Sequence, residues 1–221
     1  VVNLGIETLE LGERVSEIMH APVYVENDVN AAAVGAAEFV EHVDGNATVV
    51  FLNFGTGLAA GLVRDGQAEH GYSGFIGEIG HLPVDPNGFE CPCGQRGCLE
   101  TVASGGAVAK LWPSANPPMP DLIRKARQGD KRANDVLGKV AHGMGDGIQI
   151  AAQAYDPQRI IIGGGMAKTG NDLIEVIQAE LSRRAEGCRF LNTLDIASKI
   201  RIAAVDKPIG AIGAALAAKR A

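Results

Sequence analysis

Three of the chain's four cysteines, Cys91, Cys93 and Cys98, stand close together, with His81 shortly before them. Three thiolates and one imidazole form a complete tetrahedral donor set for a structural zinc. Pro92, Gly94 and Gly97 let the backbone turn tightly around an ion. A disulfide is the competing reading. Cys91 and Cys93 are poorly spaced for one, and any pairing leaves a thiol over. A zinc knuckle is therefore expected over 77–100, with His81, Cys91, Cys93 and Cys98 as ligands. A second polar group, Glu26-Asn27-Asp28-Val29-Asn30, sits between apolar Val23-Tyr24-Val25 and the alanine-rich stretch Ala31 to Phe39. One helix cap would account for Asn27 or Asp28, but four polar residues stand together. The junction of a strand's end with a helix's start is where open α/β folds place ligands.

Two glycine runs carry a different chemistry. Gly55-Thr56-Gly57 interrupts the apolar runs Val49 to Phe54 and Leu58 to Val63. Such a turn brings backbone N–H groups and a hydroxyl close to phosphate oxygens, though a plain hairpin turn reads the same way. Gly163-Gly164-Gly165 follows the apolar strand Arg159 to Ile162 and precedes a helix over Asp172 to Leu181. Without side chains, backbone there can lie under a flat base or ribose; an ordinary tight turn is the alternative.

The elements that position these groups follow from periodicity and breakers. Residues 8 to 19 form an amphipathic helix ended by Pro22, and Val23 to Val25 a short strand. His42 to Asn46 reads as a hinge loop. Asp65-Gly66 marks a hairpin. Thr101 to Leu111 is helical, and the prolines between 113 and 120 impose a surface loop beside Trp112, a packing residue. A helix from Asp121 breaks at Gly129-Asp130, and a long helix follows to Ala151. Gly143 and Gly147 inside it imply close approach of another backbone or of a nucleotide. Cys188 is read as a small buried hydrophobe. A last strand over Lys199 to Ala204 and a helix over Ile209 to Lys219, led by Pro208, end the pattern.

With 221 residues, 46% hydrophobic content and 29 glycines, the chain suits a globular α/β protein rather than a disordered one. The net charge of −6 offers no basic stripe, so no nucleic-acid contact is expected from this chain. No apolar run is long enough for a membrane span. The opening Val1-Val2-Asn3-Leu4-Gly5 lacks the features of a secretory signal and an initiator Met, as a stretch from within a longer protein would. Thiolate metal ligands suit a reducing compartment, and a cytoplasmic location is expected.

Glu-Ile-Gly-His at 78–81, followed by Cys-Pro-Cys-Gly-Gln-Arg-Gly-Cys-Leu-Glu at 91–100, resembles the signature of the ROK family. That family comprises sugar kinases and sugar-responsive repressors. The resemblance runs through nearly the whole chain, and Glu-Asn-Asp-x-Asn-Ala-Ala-Ala at 26–33 is similar to the family's sugar-binding and catalytic segment. It implies an α/β, actin/hexokinase-type ATPase fold. Residues 1–44 would be the end of the N-terminal lobe, and 45–221 a complete C-terminal lobe. The helix at 209–219 would pack back on the N-terminal lobe.

The resemblance also implies roles. Asp28 would be the catalytic base, with Asn27, Asp28, Glu78, His81 and Glu100 around a hexose-type sugar. Gly55, Thr56 and Gly57 would hold the phosphates of ATP with Mg2+, and Gly163, Gly164 and Gly165 its adenosine. The reaction would be phosphorylation of a hexose or N-acylhexosamine hydroxyl, in a homo-oligomer, dimer or tetramer. A sugar-sensing effector lobe of a repressor is the alternative. The chain departs from the family at Ala59-Ala60, where more glycine is usual, and at Phe75-Ile76, where small residues are usual. A first phosphate loop has no counterpart, so the stretch is expected to begin partway through the N-terminal lobe, and this 221-residue form to bind nucleotide poorly and to turn over weakly or not at all.

Overall fold

A computed structural model describes residues 9–40, 43 and 46–220. The expected hinge at 42–46 lies largely outside those residues. β-Branched and aromatic runs supply β1 (Thr48–Phe54) and β4 (Arg159–Gly163), and a run of small and apolar residues supplies β2 (Leu58–Arg64). Short β3 (Gln67–Ala68) and β5 (Ile200–Ile202) complete a sheet of order β3-β2-β1-β4-β5. The first three strands are antiparallel, with Phe54 opposite Leu58 at the hairpin end; β4 and β5 run parallel to β1. Asp65 and Gly66 both have positive φ, as the hairpin reading requires.

Alternation along the strands sends side chains to two cores. Val50, Leu52, Phe54, Ile160 and Ile162 face one way, and Val49, Phe51, Val63 and Ile161 the other. The first face packs on α3 (Glu100–Ala103), α4 (Gly105–Leu111), α5 (Pro118–Arg127), α6 (Lys131–Tyr155) and α7 (Asn171–Ala185). The second is covered by α2 (Asp28–Ala37) and α10 (Ile209–Arg220). These two helices cross with backbones in contact. A Cβ on Gly35 would stand 1.9 Å from the Ile209 carbonyl oxygen, and one on Gly213 would stand 1.7 Å from that of Ala31. The remaining helices are α1 (Leu11–Met19), α8 (Arg189–Leu194) and α9 (Ile196–Lys199). No described helix is long and apolar enough to cross a membrane.

The helix after Gly129 starts at Lys131, where Asp130 Oδ1 caps it by accepting from the Ala133 N–H at 2.9 Å. Its far half is tied to α7 by Arg184, which Glu180 holds in place. That carboxylate accepts from Arg184 Nε at 2.7 Å and Arg183 Nε at 2.9 Å, while Arg184 also pairs with Asp146 at 2.8 Å. Trp112 is buried, donates to Asp121 Oδ2 at 2.9 Å and carries Arg132 over its ring, as a packing residue should.

Several sequence expectations need correction. Residues 22–27 join no helix or sheet among the described residues, and Tyr24 and Val25 remain exposed, so Val23 to Val25 is not a strand. The next helix starts at Asp28, because Asn27 supplies the cap. The stretch 101–111 breaks at Ser104, whose hydroxyl accepts from the Ala107 N–H and starts α4. The proline loop ends at Pro117, and Pro118 and Pro120 occupy the first turn of α5, where a missing N–H is harmless. Gly143 and Gly147 face Val102, Ala103 and Leu99, so their smallness admits the side chains of α3 and its cap, not a nucleotide. Cys188 is half-buried, at the start of α8.

Candidate active site

β2 mounts most of the site. At Gly61 it admits α2, since a Cβ there would stand 2.6 Å from Ala33 Cβ. At Ala60 its N–H donates to the Gly77 carbonyl at 2.7 Å. At Leu58 its N–H donates to Glu100 Oε2 at 2.9 Å. Three segments distant in sequence thus converge on neighbouring residues of one strand. They bring, respectively, Asn27 and Asp28, then Glu78 and His81, then Glu100.

The knuckle follows Gly77, whose φ of +91° and 1.9 Å Cβ-to-Ala60 oxygen approach admit only glycine. His81 ends a short 3₁₀ turn, Ile79–His81. Bridges between Pro83 and Cys98 and between Glu90 and Arg96 then fold the cysteines back over it. His81 Nδ1 lies 3.6 Å from Cys91 Sγ, Cys93 and Cys98 sulfurs are 3.6 Å apart, and all four donor atoms lie within 4.8 Å of one another. Zn–S bonds of about 2.3 Å in a tetrahedron put sulfurs roughly 3.8 Å apart, so the donor set fits zinc. Gln95 Nε2 steadies the cluster, donating to the His81 carbonyl at 3.0 Å and facing the sulfurs of Cys93 and Cys98. Hydrogen bonds from Gln95 draw the Cys93 thiol down to about 6, whereas burial pushes Cys98 up to about 12. A cation removes that conflict by favouring the thiolate at every position. With Nδ1 toward the sulfurs, the Nε2 edge of His81 is left for a second partner.

The first glycine run is held from two sides. Glu100 Oε2 presses on Gly57, where a Cβ would stand 2.6 Å away. The N-terminus of α4 bonds the turn's carbonyls, Gly105 N–H to Gly55 at 2.7 Å and Gly106 N–H to Thr56 at 3.2 Å. Thr56 itself is exposed. The second run meets the first. Gly164, at φ +77°, packs on the Phe54–Gly55 backbone, with a Cβ position 2.6 Å from Gly55 N. Gly163 is buried with its Cα against the Phe51 ring, while Gly165 is exposed and open. A cavity of about 360 Å³ lies where the runs meet, lined by Thr56, Gly106, Pro117, Pro118, Gly165 and Met166 among others. The Gly105-Gly106 pair and the 116–118 wall are additions of the structure. A Ser-Gly-Gly helix start was the signal available for the first of them.

On α2, Asn27 Oδ1 accepts from the Val29 N–H at 2.9 Å and the Asn30 N–H at 3.2 Å. Asp28 is exposed at the first helical position, its Oδ1 accepting only from Val29 N–H among the described contacts. Glu26 has the role that sequence did not supply. Its buried carboxylate accepts from His70 Nε2 and from the Asn27 N–H, each at 2.8 Å. Burial pushes its pKa up, but bonds from His70, Asn27 and Asn30 outweigh burial and hold the carboxyl below its usual range. Glu78 is exposed, as is Phe75 beside it.

Sheet, glycine clasp and knuckle define an α/β protein of the actin/hexokinase-type ATPase fold, as in solved ROK kinases. The ROK family model matches residues 1–221, and the chain belongs to that family. It is 32% identical to a glucokinase of Halalkalibacterium halodurans, over 96% of this chain and 68% of that one. A ROK family glucokinase from Streptomyces griseus, solved with glucose and AMPPNP, superposes with a TM-score of 0.76 at 30% identity, over 96% of this chain and 72% of that one. A xylose repressor of Caldicellulosiruptor bescii is 28% identical over 92% of this chain and 55% of its own length.

Proposed function

We propose that this chain carries the sugar and nucleotide sites of an ATP-dependent sugar kinase acting on a hexose or N-acylhexosamine hydroxyl. The observation that carries the reading is the packing of Gly164 on Gly55, which closes two glycine runs around one cavity. A nucleotide needs such a cavity, with phosphates at Gly55, Thr56 and Gly57 and adenosine toward Gly164 and Gly165. Gly163 serves from behind, as the strand end that lets Phe51 fill the core.

A sugar hydroxyl is a weak nucleophile, so a carboxylate must take its proton as the new P–O bond forms and ADP leaves. Asp28 is exposed at a helix start and suits that task. Asn27, Glu78 and Glu100 present amide and carboxylate groups to sugar hydroxyls. His81, which would hold zinc together with Cys91, Cys93 and Cys98, would keep its other ring N–H for a sugar hydroxyl. Zinc supplies rigidity to the knuckle; magnesium arriving with ATP neutralises phosphate charge. Thiolate ligands of this kind persist in a reducing compartment such as the cytoplasm.

Similarity to a xylose repressor supports a second reading, sugar sensing without transfer. ADP release measured against a panel of hexoses and N-acylhexosamines, with Mg2+ and ATP, separates the two. The kinase reading expects sugar-dependent ADP. Sugar binding by calorimetry with no ADP formed, in a chain that carries the whole N-terminal lobe, would favour the sensor.

A further inference from the structure

Glu26 immediately precedes Asn27 and Asp28, yet its side chain turns away from solvent and is 4% exposed. Its two oxygens serve different segments. Oε1 accepts from the Asn27 N–H at 2.8 Å and Asn30 Nδ2 at 3.3 Å, both in the start of α2. Oε2 accepts from His70 Nε2 at 2.8 Å and from the Tyr24 hydroxyl at 3.3 Å. His70 stands between β3 and the loop that leads to Glu78 and His81. One carboxylate therefore joins the segment bearing Asp28 to the segment bearing Glu78 and His81.

The entrance to α2 needs such a tie. Residues 22–27 join no sheet among the described residues, so strand pairing does not fix them. Packing on Gly61 holds α2 from Val29 onward and α10 covers its body, but the hydrogen bonds that fix the turn into it come from the side chains of Glu26 and Asn27. Asp28 is exposed, and its one described partner is the backbone beside it. Its placement is thus inherited from the backbone of the first turn, which Glu26 and Asn27 hold.

We propose that Glu26 is a positioning residue. Through His70 it clamps the start of α2, and with it Asp28, against the loop that carries Glu78 and His81. The kinetic consequence rests on the sugar-kinase reading; the clamp itself does not. Misplacement of a reacting group by about 1 Å costs about 10²-fold in rate. His70 is the cleaner place to cut, because its side chain is 46% exposed and its removal opens no core. His70→Leu removes the donor, whereas His70→Gln keeps a neutral N–H donor near the position of Nε2.

In the full chain, His70→Leu and Glu26→Gln are expected to lower kcat by about 10- to 10²-fold at unchanged circular dichroism, with sugar KM rising only a few-fold. His70→Gln is expected to stay within a few-fold of the parent. Hydrogen exchange at the Val29 and Asn30 amides is expected to speed up in His70→Leu and not in His70→Gln. Parent-like kcat and parent-like exchange in folded His70→Leu overturn the clamp. Equal loss in His70→Leu and His70→Gln also overturns it, since retaining the donor should matter. If the parent, joined to the rest of its N-terminal lobe, forms no ADP with any sugar, the kinase reading fails. The exchange comparison then decides the clamp alone.

Discussion

The nucleotide half and the sugar half of the candidate site are built by opposite means. Around Gly55, Gly164 and Gly165 the surface is backbone, made smooth by missing side chains and held from behind by Phe51, Phe54 and the β4 isoleucines. Around Asp28, Glu78, His81 and Glu100 the surface is polar side chain, mounted on helix starts and a knuckle, with the neighbours Val29, Ile79 and Leu99 buried beneath. The first half tolerates loss of atoms and not their addition. The second tolerates neither, because each group acts through its own hydrogen bonds. A backbone surface takes its accuracy from packing; a side-chain surface needs separate ties such as Glu26 to His70 and Gln95 to the knuckle.

Asp28→Asn tests the side-chain half most sharply. Turnover is expected to fall by about 10²–10⁴ with sugar affinity largely kept, because the amide can hydrogen-bond but cannot take a proton. Kinetics paired with calorimetry read both terms, and parent-like turnover would remove Asp28 from the chemistry. Gly164→Val tests the backbone half. The added atoms meet the Phe54 carbonyl carbon at 2.5 Å, so the two glycine runs must part. Nucleotide affinity is expected to drop about 10²-fold, roughly 2.7 kcal/mol, with sugar affinity little changed. Undiminished ATP binding would show that the nucleotide sits elsewhere.

Glu180→Gln lies outside both halves and calibrates them. Burial raises the Glu180 pKa, but Arg183 and Arg184 outweigh it and hold the carboxyl at about 2. A depressed carboxylate stabilises the fold above its unfolded value near 4.5, and loses that contribution as pH falls toward about 2. The variant is expected to be about 2 kcal/mol less stable at pH 7, allowing for solvent around Arg183, with the gap narrowing as pH drops below 4.5 toward 2. Urea titrations at two pH values measure it; a gap independent of pH would contradict the ion-pair account. His81→Ala is expected to reduce zinc from about one per chain to near none, and sugar affinity by about tenfold. Zinc loss with unaltered sugar affinity would make the knuckle a staple only.

Sequence was most informative where chemistry needs unusual residues at fixed spacing. Cys91, Cys93, Cys98 and His81 have few other uses in one knuckle, and the structure gathers their donor atoms. The sheet was legible too, because Val49 to Phe54 and Ile160 to Ile162 are dominated by β-branched and aromatic residues. Spacing failed where the partner is remote. Val23 to Val25 has strand composition, but a strand also needs an edge to pair with, and composition does not name one. Gly143 and Gly147 announced a close neighbour without saying which, and α3 proved to be it. Glu26 looked like one more member of a polar cluster; only the three-dimensional approach of His70 separates its task from that of Asp28.

The crossing of α2 by α10 has a consequence for biosynthesis. Gly35 and Gly213 let the two backbones touch, so α10 is the outer wall for the helix that bears Asp28. In the chain, however, α10 follows every other described element. A ribosome therefore delivers α2 well before its wall. Until α10 emerges from the exit tunnel, the alanine face of α2 stays open to water and to chaperones, and the start of that helix is held on one side only. A nascent chain stalled before Ile209 carries the knuckle cysteines and both glycine runs while α2 still lacks its outer wall. Such a product could load metal while still lacking a finished site.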